Sequence, residues 1–350
     1  MVGNGSRHPR ITVISPMYNV ADYVGECIES LQQQDFPDFE AVFIDDGSPD
    51  DCLERAQRQA GGDPRFRFMR QENAGLSASR NNALEVARGD YVMFLDSDDA
   101  YTPNAIGDIV STCDETDADA VFFNAKMLYD SHDLVRTNFE SYADRIGPKG
   151  VVDGFEMLVF QSSNGSFRSS ACMYAVRREL LDENGLRFFP GIIHEDQLFT
   201  LKLFPYLKRC AFLQEDLYVR RMRHGSLMTN TRGMKNVHGL FVVTRELERF
   251  MFEHAAEWPD AFIDAFAHEL QVTWTILADD AKSIDARELK RFRSELDKGD
   301  RALFDLHVIE AGSATKGIED RYEKSTTYRV GRAIMYIPIW LKERLQRAPK

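Results

Sequence analysis

The chain has 350 residues, enough for one large domain or two modest ones with a sizeable core. Its net charge of −13 is opposite to that of a wholesale nucleic-acid binder, so no nucleic-acid partner is expected and any polyanion contact should be local. Five scattered cysteines, odd in number and without a CxxC pair, argue against a disulfide framework or a zinc site and fit a reducing compartment.

The first ten residues carry no apolar core, so no signal peptide is expected, and no apolar run approaches membrane-spanning length. Ile11–Ser15 is a β-branched run and reads as a buried strand, followed by a turn at PMYN. Val24, Ile28 and Leu31 recur at helical spacing within Ala21–Gln33. Phe39–Ile44 reads as a second strand, ending in Asp45-Asp46-Gly47-Ser48. Asp51–Gln59 reads as a helix, Phe66–Arg70 as a third strand, and Ala83–Arg88 as the end of a helix closed by Gly89. Tyr91–Leu95 is short and apolar, as a buried parallel strand is, and stops abruptly at Asp96, Asp98 and Asp99. Ala120–Asn124 is a further strand. Strands alternating with helical segments predict βαβ units and a mostly parallel central sheet flanked by helices, a Rossmann-like α/β fold.

From Asp130 to Pro190 the pattern weakens. Ser162–Ser170 reads as loop and Ala171–Val176 as a strand. Leu198, Leu201 and Phe204 mark a short helix over Asp196–Leu203, with Asp196 at its N-terminus. Cys210–Leu213 and Leu217–Arg220 read as two short strands. Beyond Met234, helical periodicity runs through Val237–Glu253, Ala261–Asp279 and Ala286–Leu296, with breaks at Pro259 and Gly299; Trp258 and Trp274 read as core. The expected division is an α/β domain over 1–230, in halves of about 10–125 and 126–230, and a helical region over 231–350. The tail, Tyr328–Lys350, mixes Ile334, Ile337 and Trp340 with Arg329, Arg332, Lys342 and Arg344. Such a segment can lie on an anionic membrane surface or dock as an ordinary terminal helix. The expected location is cytoplasmic, and peripheral on the inner face of the cell membrane if the tail takes the first of these two courses.

Asp96 and Asp98 are two apart, so in extended chain they project to the same side. Like charges this close repel unless a cation sits between them. A parallel sheet brings Asp45-Asp46 and Asp96-Ser97-Asp98 to one edge, where open α/β sheets bind ligands. Hard oxygen ligands select Mg²⁺ or Mn²⁺ over zinc, and a metal held by one or two carboxylates completes its shell with phosphates and water. A diphosphate is the sensible ligand. Between the acid clusters lies Asn73–Asn81. Gly75 there allows close backbone approach, the following helix N-terminus favours anions, and Arg80 can offer a planar fork to a base or phosphate. Taken singly, ordinary turn chemistry explains Asp45–Ser48 and a capped helix start explains Asn73–Asn81.

Taken together, Ile14-Ser15-Pro16-Met17-Tyr18-Asn19, Ile44-Asp45-Asp46-Gly47-Ser48, Gly75–Asn81 and Asp96-Ser97-Asp98-Asp99 resemble family 2 glycosyltransferases of the GT-A fold, over residues 11 to about 110. The resemblance implies a GT-A catalytic domain over 1–230 with a C-terminal helical appendage. Asp98 would be the principal metal ligand, with Asp96 contacting the donor ribose or the metal through water. Asp46 would bond the uracil edge and Arg80 support the nucleotide. Pro16 and Tyr18 would line the base pocket, with Asn19 and Gly75 in the same donor site. His194-Glu195-Asp196-Gln197 resembles the family's ED motif, which makes Asp196 the catalytic base. Residues 220–226 resemble a late cationic segment, with Arg221, Arg223 and Ser226 matched as donor-binding. Arg220 stands where an aromatic is usual, and His224 is a further candidate metal ligand.

The implied activity is inverting, metal-dependent transfer of a sugar from a UDP-sugar to a hydroxyl of a glycan or lipid-linked glycan acceptor in cell-surface polysaccharide synthesis, with Mn²⁺ or Mg²⁺. The chemistry agrees. A carboxylate takes the acceptor proton as that oxygen attacks the anomeric carbon, and cations stabilise the departing diphosphate. Two alternatives stay open. A sugar-nucleotide-forming nucleotidyltransferase would carry a Gly-rich, basic loop after the first strand, where this chain has PMYN. A non-catalytic glycan-binding relative would have no need of intact acids at Asp46, Asp96, Asp98 and Asp196.

Overall fold

The apolar runs of the first hundred residues become the elements their periods demand. The computed structural model describes residues 8–136, 142–143, 145–225 and 233–310. It divides into two units, Met1–Gly191 with Glu195–Asn230, and Ile192–His194 with Thr231–Lys350.

In the first unit β1 (Ile11–Met17), α1 (Val24–Gln32), β2 (Phe39–Asp45), α2 (Cys52–Ala60), β3 (Phe66–Arg70), α3 (Leu76–Leu84) and β4 (Tyr91–Phe94) follow in strict alternation. The four strands are parallel in the order β3-β2-β1-β4, with Ile11 opposite both Phe39 and Tyr91. Helices on both faces bury such strands completely, and every residue of β2 is buried. Parallel register brings the carboxyl ends of β2 and β4, with their acids, to one edge. Two expectations change. Pro16 and Met17 continue β1 rather than turning: the β1–β4 ladder stops at Ile14, so the missing Pro16 N–H is not required on that side, where its carbonyl accepts from Ser97 Oγ at 2.7 Å. Helix α3 ends at Leu84, and Gly89 serves instead for close approach, since a Cβ there would lie 2.4 Å from the Thr12 nitrogen.

The sheet continues through β5 (Ala100–Tyr101), α4 (Ala105–Thr116), β6 (Ala120–Tyr129), α5 (Gly154–Ser163), β7 (Tyr174–Arg177), α6 (Arg178–Glu183), α7 (Glu195–Leu203) and β8 (Cys210–Met222). Its full order is β3-β2-β1-β4-β7-β6-β8-β5, with β7 antiparallel to β4 and β6, β8 parallel to β6, and β5 antiparallel to β8. The two short strands expected over 210–220 are one long strand, β8. The interruption between Leu213 and Leu217 is a bulge: Phe122 faces Phe212, but Asn124 faces Asp216 and Ala125 faces Tyr218. Helix α5 occupies a stretch the sequence left without an element, capped by Asp153 Oδ1 on Glu156 N at 2.8 Å. The core joins both halves of the sheet through Phe188 and Phe199, stacked at 4.0 Å, with Phe94 edge-on to Phe188 at 5.1 Å.

The second unit contains α8 (Met234–His254), α9 (Asp260–Lys282), α10 (Ala286–Glu295) and α11 (Lys298–Phe304). Phe241 packs edge-on against Trp274, Phe292 and Phe304, and Trp258 against Phe262. Pro259 caps α9 as the break it was read to be; Gly299 lies inside α11, whose cap is Asp297. Glu248 accepts a 2.9 Å bond from Trp274 Nε1, and His307 stacks on the same indole at 3.8 Å. Among the described residues no helix is long and apolar enough to cross a membrane. The basic tail lies outside them.

Candidate active site

Each acid at the sheet edge has a distinct set of partners. Asp45 Oδ1 accepts from Ser48 N at 2.9 Å, and its Oδ2 lies 3.2 Å from Arg70. Asp46 is buried and accepts from Ala74 N at 2.9 Å, Gly75 N at 2.8 Å and Gln71 Nε2 at 2.7 Å. It therefore ties the end of β2 to the loop that opens α3. Gly75 caps that helix with φ of 88°, a backbone position that favours glycine. Just past β1, Tyr18 is exposed and Asn19 adopts φ of 55°, its N–H donating to Ser48 Oγ at 3.3 Å.

Asp96–Asp99 form a turn closed by Asp99 N on Asp96 O at 2.9 Å. Ser97 pins it to Pro16. Asp99, which has no assigned role in the motif, is buried and anchors the far side: it accepts from Tyr218 Oη at 2.6 Å and from Arg221 N at 2.6 Å. The strand β8 is thus fastened to the acidic turn through its own backbone. Asp98 accepts from Arg223 Nε at 2.7 Å, while Arg221 Nε reaches the Asp98 carbonyl at 3.1 Å. Both guanidinium groups lie near Tyr23, at 5.4 and 4.6 Å from its ring centre. Burial, and then the charge of Asp96, push the Asp98 carboxyl up against the opposing pull of Arg223.

Arg80 is the buried centre of the site. Its Nη2 donates to Asp96 Oδ1 at 3.0 Å and its Nη1 to Glu195 Oε1 at 2.7 Å, between the rings of Phe94 and Phe188. Burial raises the Glu195 carboxyl even with Arg80 against it. Glu195 was not singled out in the sequence. A signal existed, since a carboxylate beside Asp196 at a helix start in an apolar stretch needs a cation. Asp196 follows it in the first turn of α7, half-buried, with its Oδ1 accepting from Gln197 N at 2.9 Å.

The structure thus joins Arg80, Asp96, Asp98, Arg221, Arg223 and Pro16 in one network, and Asp46 with Gly75 in a second. It does not join His224 to them: its Nε2 lies 3.0 Å from Asp133 and 3.3 Å from Ser131 Oγ. Arg220 sits over the Tyr142 ring at 4.3 Å. Ser226 lies outside the described residues. No group of three or more His, Cys, Asp or Glu among the described residues could hold a metal. Asp96 and Asp98 still fit Mg²⁺ or Mn²⁺ of the kind that takes one or two carboxylates and completes its shell from substrate: they are hard oxygen donors, mutually repelling, and the Asp96 side chain is 42% exposed.

A parallel half-sheet with acidic strand ends, joined to a mixed half-sheet whose last helix opens with an acid pair, is the arrangement of a GT-A fold. The profile of Glycosyl transferase family 2 matches residues 12–184. The chain is 30% identical over 250 residues to an uncharacterized glycosyltransferase, YibD, of Escherichia coli K12, covering 70% of this chain and 72% of that one. It is 31% identical over 226 residues to the glycosyltransferase GlyG of Streptococcus pneumoniae, covering 62% and 72%. The fold is similar to that of S. aureus TarS 1–349, solved in complex with UDP-GlcNAc, with a TM-score of 0.59, 22% identity and 85% and 79% of the two chains covered. The chain belongs to glycosyltransferase family 2, and it is a glycosyltransferase.

Proposed function

We propose that the protein is an inverting glycosyltransferase that moves a sugar from a UDP-sugar to a hydroxyl of a glycan or lipid-linked glycan acceptor in cell-surface polysaccharide synthesis. The observation that carries the reading is Arg80, which ties Asp96 at the donor edge to Glu195, the neighbour of Asp196. In this reading Asp46, Gly75, Pro16, Tyr18 and Asn19 surround the nucleoside. Asp98 and Asp96 hold Mn²⁺ or Mg²⁺, which when bound neutralises the departing diphosphate. Arg221 and Arg223 add positive charge at the same edge, with Ser226 following them. Asp196 accepts the proton of the acceptor hydroxyl as that oxygen attacks the anomeric carbon, and the bond to the diphosphate breaks on the opposite face.

Two similarities support the donor and product classes. The TarS structure holds UDP-GlcNAc. The chain is also 39% identical over 100 residues to a chondroitin synthase of Escherichia coli and 37% over 101 residues to a hyaluronan synthase of Pasteurella multocida, covering 15% and 10% of those longer proteins. A mannosyltransferase of similar fold from Pyrobaculum calidifontis, with a TM-score of 0.55 and 18% identity, was solved with GDP-Man and Mn²⁺. A cytoplasmic enzyme held at the inner membrane face by its basic tail would suit a lipid-linked acceptor. The test is Mn²⁺-dependent release of UDP from a panel of UDP-sugars. Activity that survives both Asp98→Ala and Asp196→Ala would overturn the site assignment.

A further inference from the structure

The three arginines at the end of β8 are not alike. Side chains alternate along a strand, and beyond the bulge the pairing with β6 is regular, with Ala125 facing Tyr218 and Met127 facing Arg220. Arg221 and Arg223 share one face, and carboxylates bind them there. Arg221 reaches Glu26 and Asp130, and Arg223 holds Asp98 at 2.7 Å. Arg220 lies on the other face with Tyr218, whose hydroxyl donates to Asp99 at 2.6 Å and accepts from Asp96 N at 3.2 Å. It therefore stands one pleat beyond the tyrosine that holds the acidic turn, on the strand face opposite to the two arginines that reach Asp98.

Arg220 is half-buried, and its guanidinium lies over the Tyr142 ring at 4.3 Å. Tyr142 is held there through its backbone, its carbonyl accepting at 3.2 Å from the N–H of Ala125, the residue opposite Tyr218. The ring orients the guanidinium plane and takes none of its N–H groups in a hydrogen bond. Among the described residues Arg220 has neither a hydrogen bond nor an ion pair. Burial opposes its charge, but Tyr142, Asp99, Tyr218 and Asp96 outweigh burial and hold its pKa above the ordinary value, so the group stays a cation. Arg80, Arg221 and Arg223 each hold a carboxylate of the chain. Arg220 has the same fork, half out of water, and no carboxylate to hold. A braced cation of this kind, with its N–H donors uncommitted within the chain, is suited to an oxyanion.

We propose that Arg220, braced by Tyr142, binds an oxyanion of the acceptor, a carboxylate or a phosphate, and so selects an acidic glycan. The choice of the acceptor rests on the proposed function, in which the donor's diphosphate lies at Asp98 and the acceptor meets Asp196. Arg220 is on the strand face away from Asp98, and Tyr142 belongs to the half of the sheet that carries Glu195 and Asp196. The oxyanion takes two parallel N–H bonds from the Arg220 fork, while the ring covers one face of the guanidinium. A hexuronate ring supplies a carboxylate, and a sugar or polyol phosphate supplies the other anion. No bond is made or broken at this site; its contribution is to binding and to the choice of substrate.

The test uses the full chain with saturating UDP and Mn²⁺, so that the donor edge is occupied. Titration calorimetry compares glucuronate-bearing, glycerol-phosphate-bearing and neutral oligosaccharides of equal length. One acidic series is expected to bind about tenfold or more tighter than the neutral one, with the advantage shrinking as salt rises. Preference for glucuronate assigns a carboxylate, and preference for glycerol phosphate assigns a phosphate. Arg220→Gln should remove the advantage and leave neutral binding unchanged, while Arg220→Lys, a cation without the fork, should keep only part of it. Absence of acidic preference in both series overturns the proposal, and that comparison is made on the wild-type chain. A preference that survives Arg220→Gln overturns it too. So does a preference seen only without UDP and Mn²⁺, which would put the anion in the position of the donor's diphosphate. UDP release from UDP-sugars reads the proposed function and acidic preference reads this one, so either can fail alone.

Discussion

Glu195 accepts a 2.7 Å hydrogen bond from Arg80, and both groups are almost fully buried. The same guanidinium holds Asp96 at 3.0 Å, so one cation organises carboxylates from the two halves of the catalytic unit. Removing one member of a buried pair leaves a charge without compensation. Arg80→Met is expected to lower stability by about 3–5 kcal/mol in urea unfolding followed by circular dichroism. Arg80→Met with Glu195→Leu should recover much of that loss while transfer stays low, because Asp96 remains unheld. Equal instability of the single and double variants would argue against the pair.

The two acids proposed for the reaction should separate kinetically. Asp196→Asn is expected to lower kcat by about 10²–10⁴ with little change in donor KM, as loss of a general base does. Asp98→Asn should instead raise the Mn²⁺ concentration needed for half-maximal rate. Initial rates over a grid of donor and Mn²⁺ concentrations distinguish the two; identical profiles would merge the roles assigned to them.

Tyr218 and Asp99 form a buried clamp between β8 and the acidic turn, with burial pushing the Asp99 carboxyl well up. Tyr218→Phe removes the donor and leaves that carboxyl partly unsatisfied. A loss of about 1–3 kcal/mol is expected, read as a lower urea midpoint at constant slope. An unchanged midpoint would count against the clamp.

The second unit carries two groups whose titrations oppose one another. Burial pushes Glu248 up to about 7 and His307 down to about 4. Between about pH 4.5 and 7 folded Glu248 keeps a proton that the unfolded chain releases, so its contribution to stability falls as pH rises. Folded His307 stays neutral where the unfolded side chain charges, so its contribution rises with pH from about 4 to 6.5. Over their common window the two largely cancel. Glu248→Gln should therefore gain on wild type as pH climbs from 5 to 7.5, by up to about 3 kcal/mol. All three tryptophans lie beyond residue 231, so fluorescence-detected unfolding reports this unit. A gap between variant and wild type that does not change with pH would contradict the opposed titrations.

The parallel half of the sheet was legible because β1, β2 and β4 are apolar runs buried on both faces, and acids follow the apolar runs of β2 and β4. Asp45 and Asp96 therefore mark strand ends as clearly as Gly or Pro marks a turn. The mixed half was less legible. Helix α5 announces itself only through Asp153 and Glu156, a cap pattern over an otherwise weak period. In β8 the bulge breaks the alternation that reveals a strand, so Leu213 and Leu217 read as separate ends. Asp99 and Glu195 stand within stretches that the sequence marks, yet neither receives a role there, for a related reason. Both are buried acids explained by partners distant in the chain, Tyr218 and Arg80, and no local spacing records such a pairing.

The bond from Arg80 to Glu195 also sets an order of assembly. Arg80 and Asp96 are 16 residues apart, and Asp46 reaches Ala74 and Gly75 across 28 and 29. Arg80 to Glu195 spans 115 residues, and Tyr218 to Asp99 spans 119. Short closures form early and long ones late, and a chain emerging from the ribosome meets them in that sequence. The half proposed to hold the nucleotide can close its own polar network before the proposed base exists. Until α7 arrives, Arg80 has only Asp96 of its two carboxylate partners, and on the proposed reading the nascent protein is a pocket for a donor that it has no means to use.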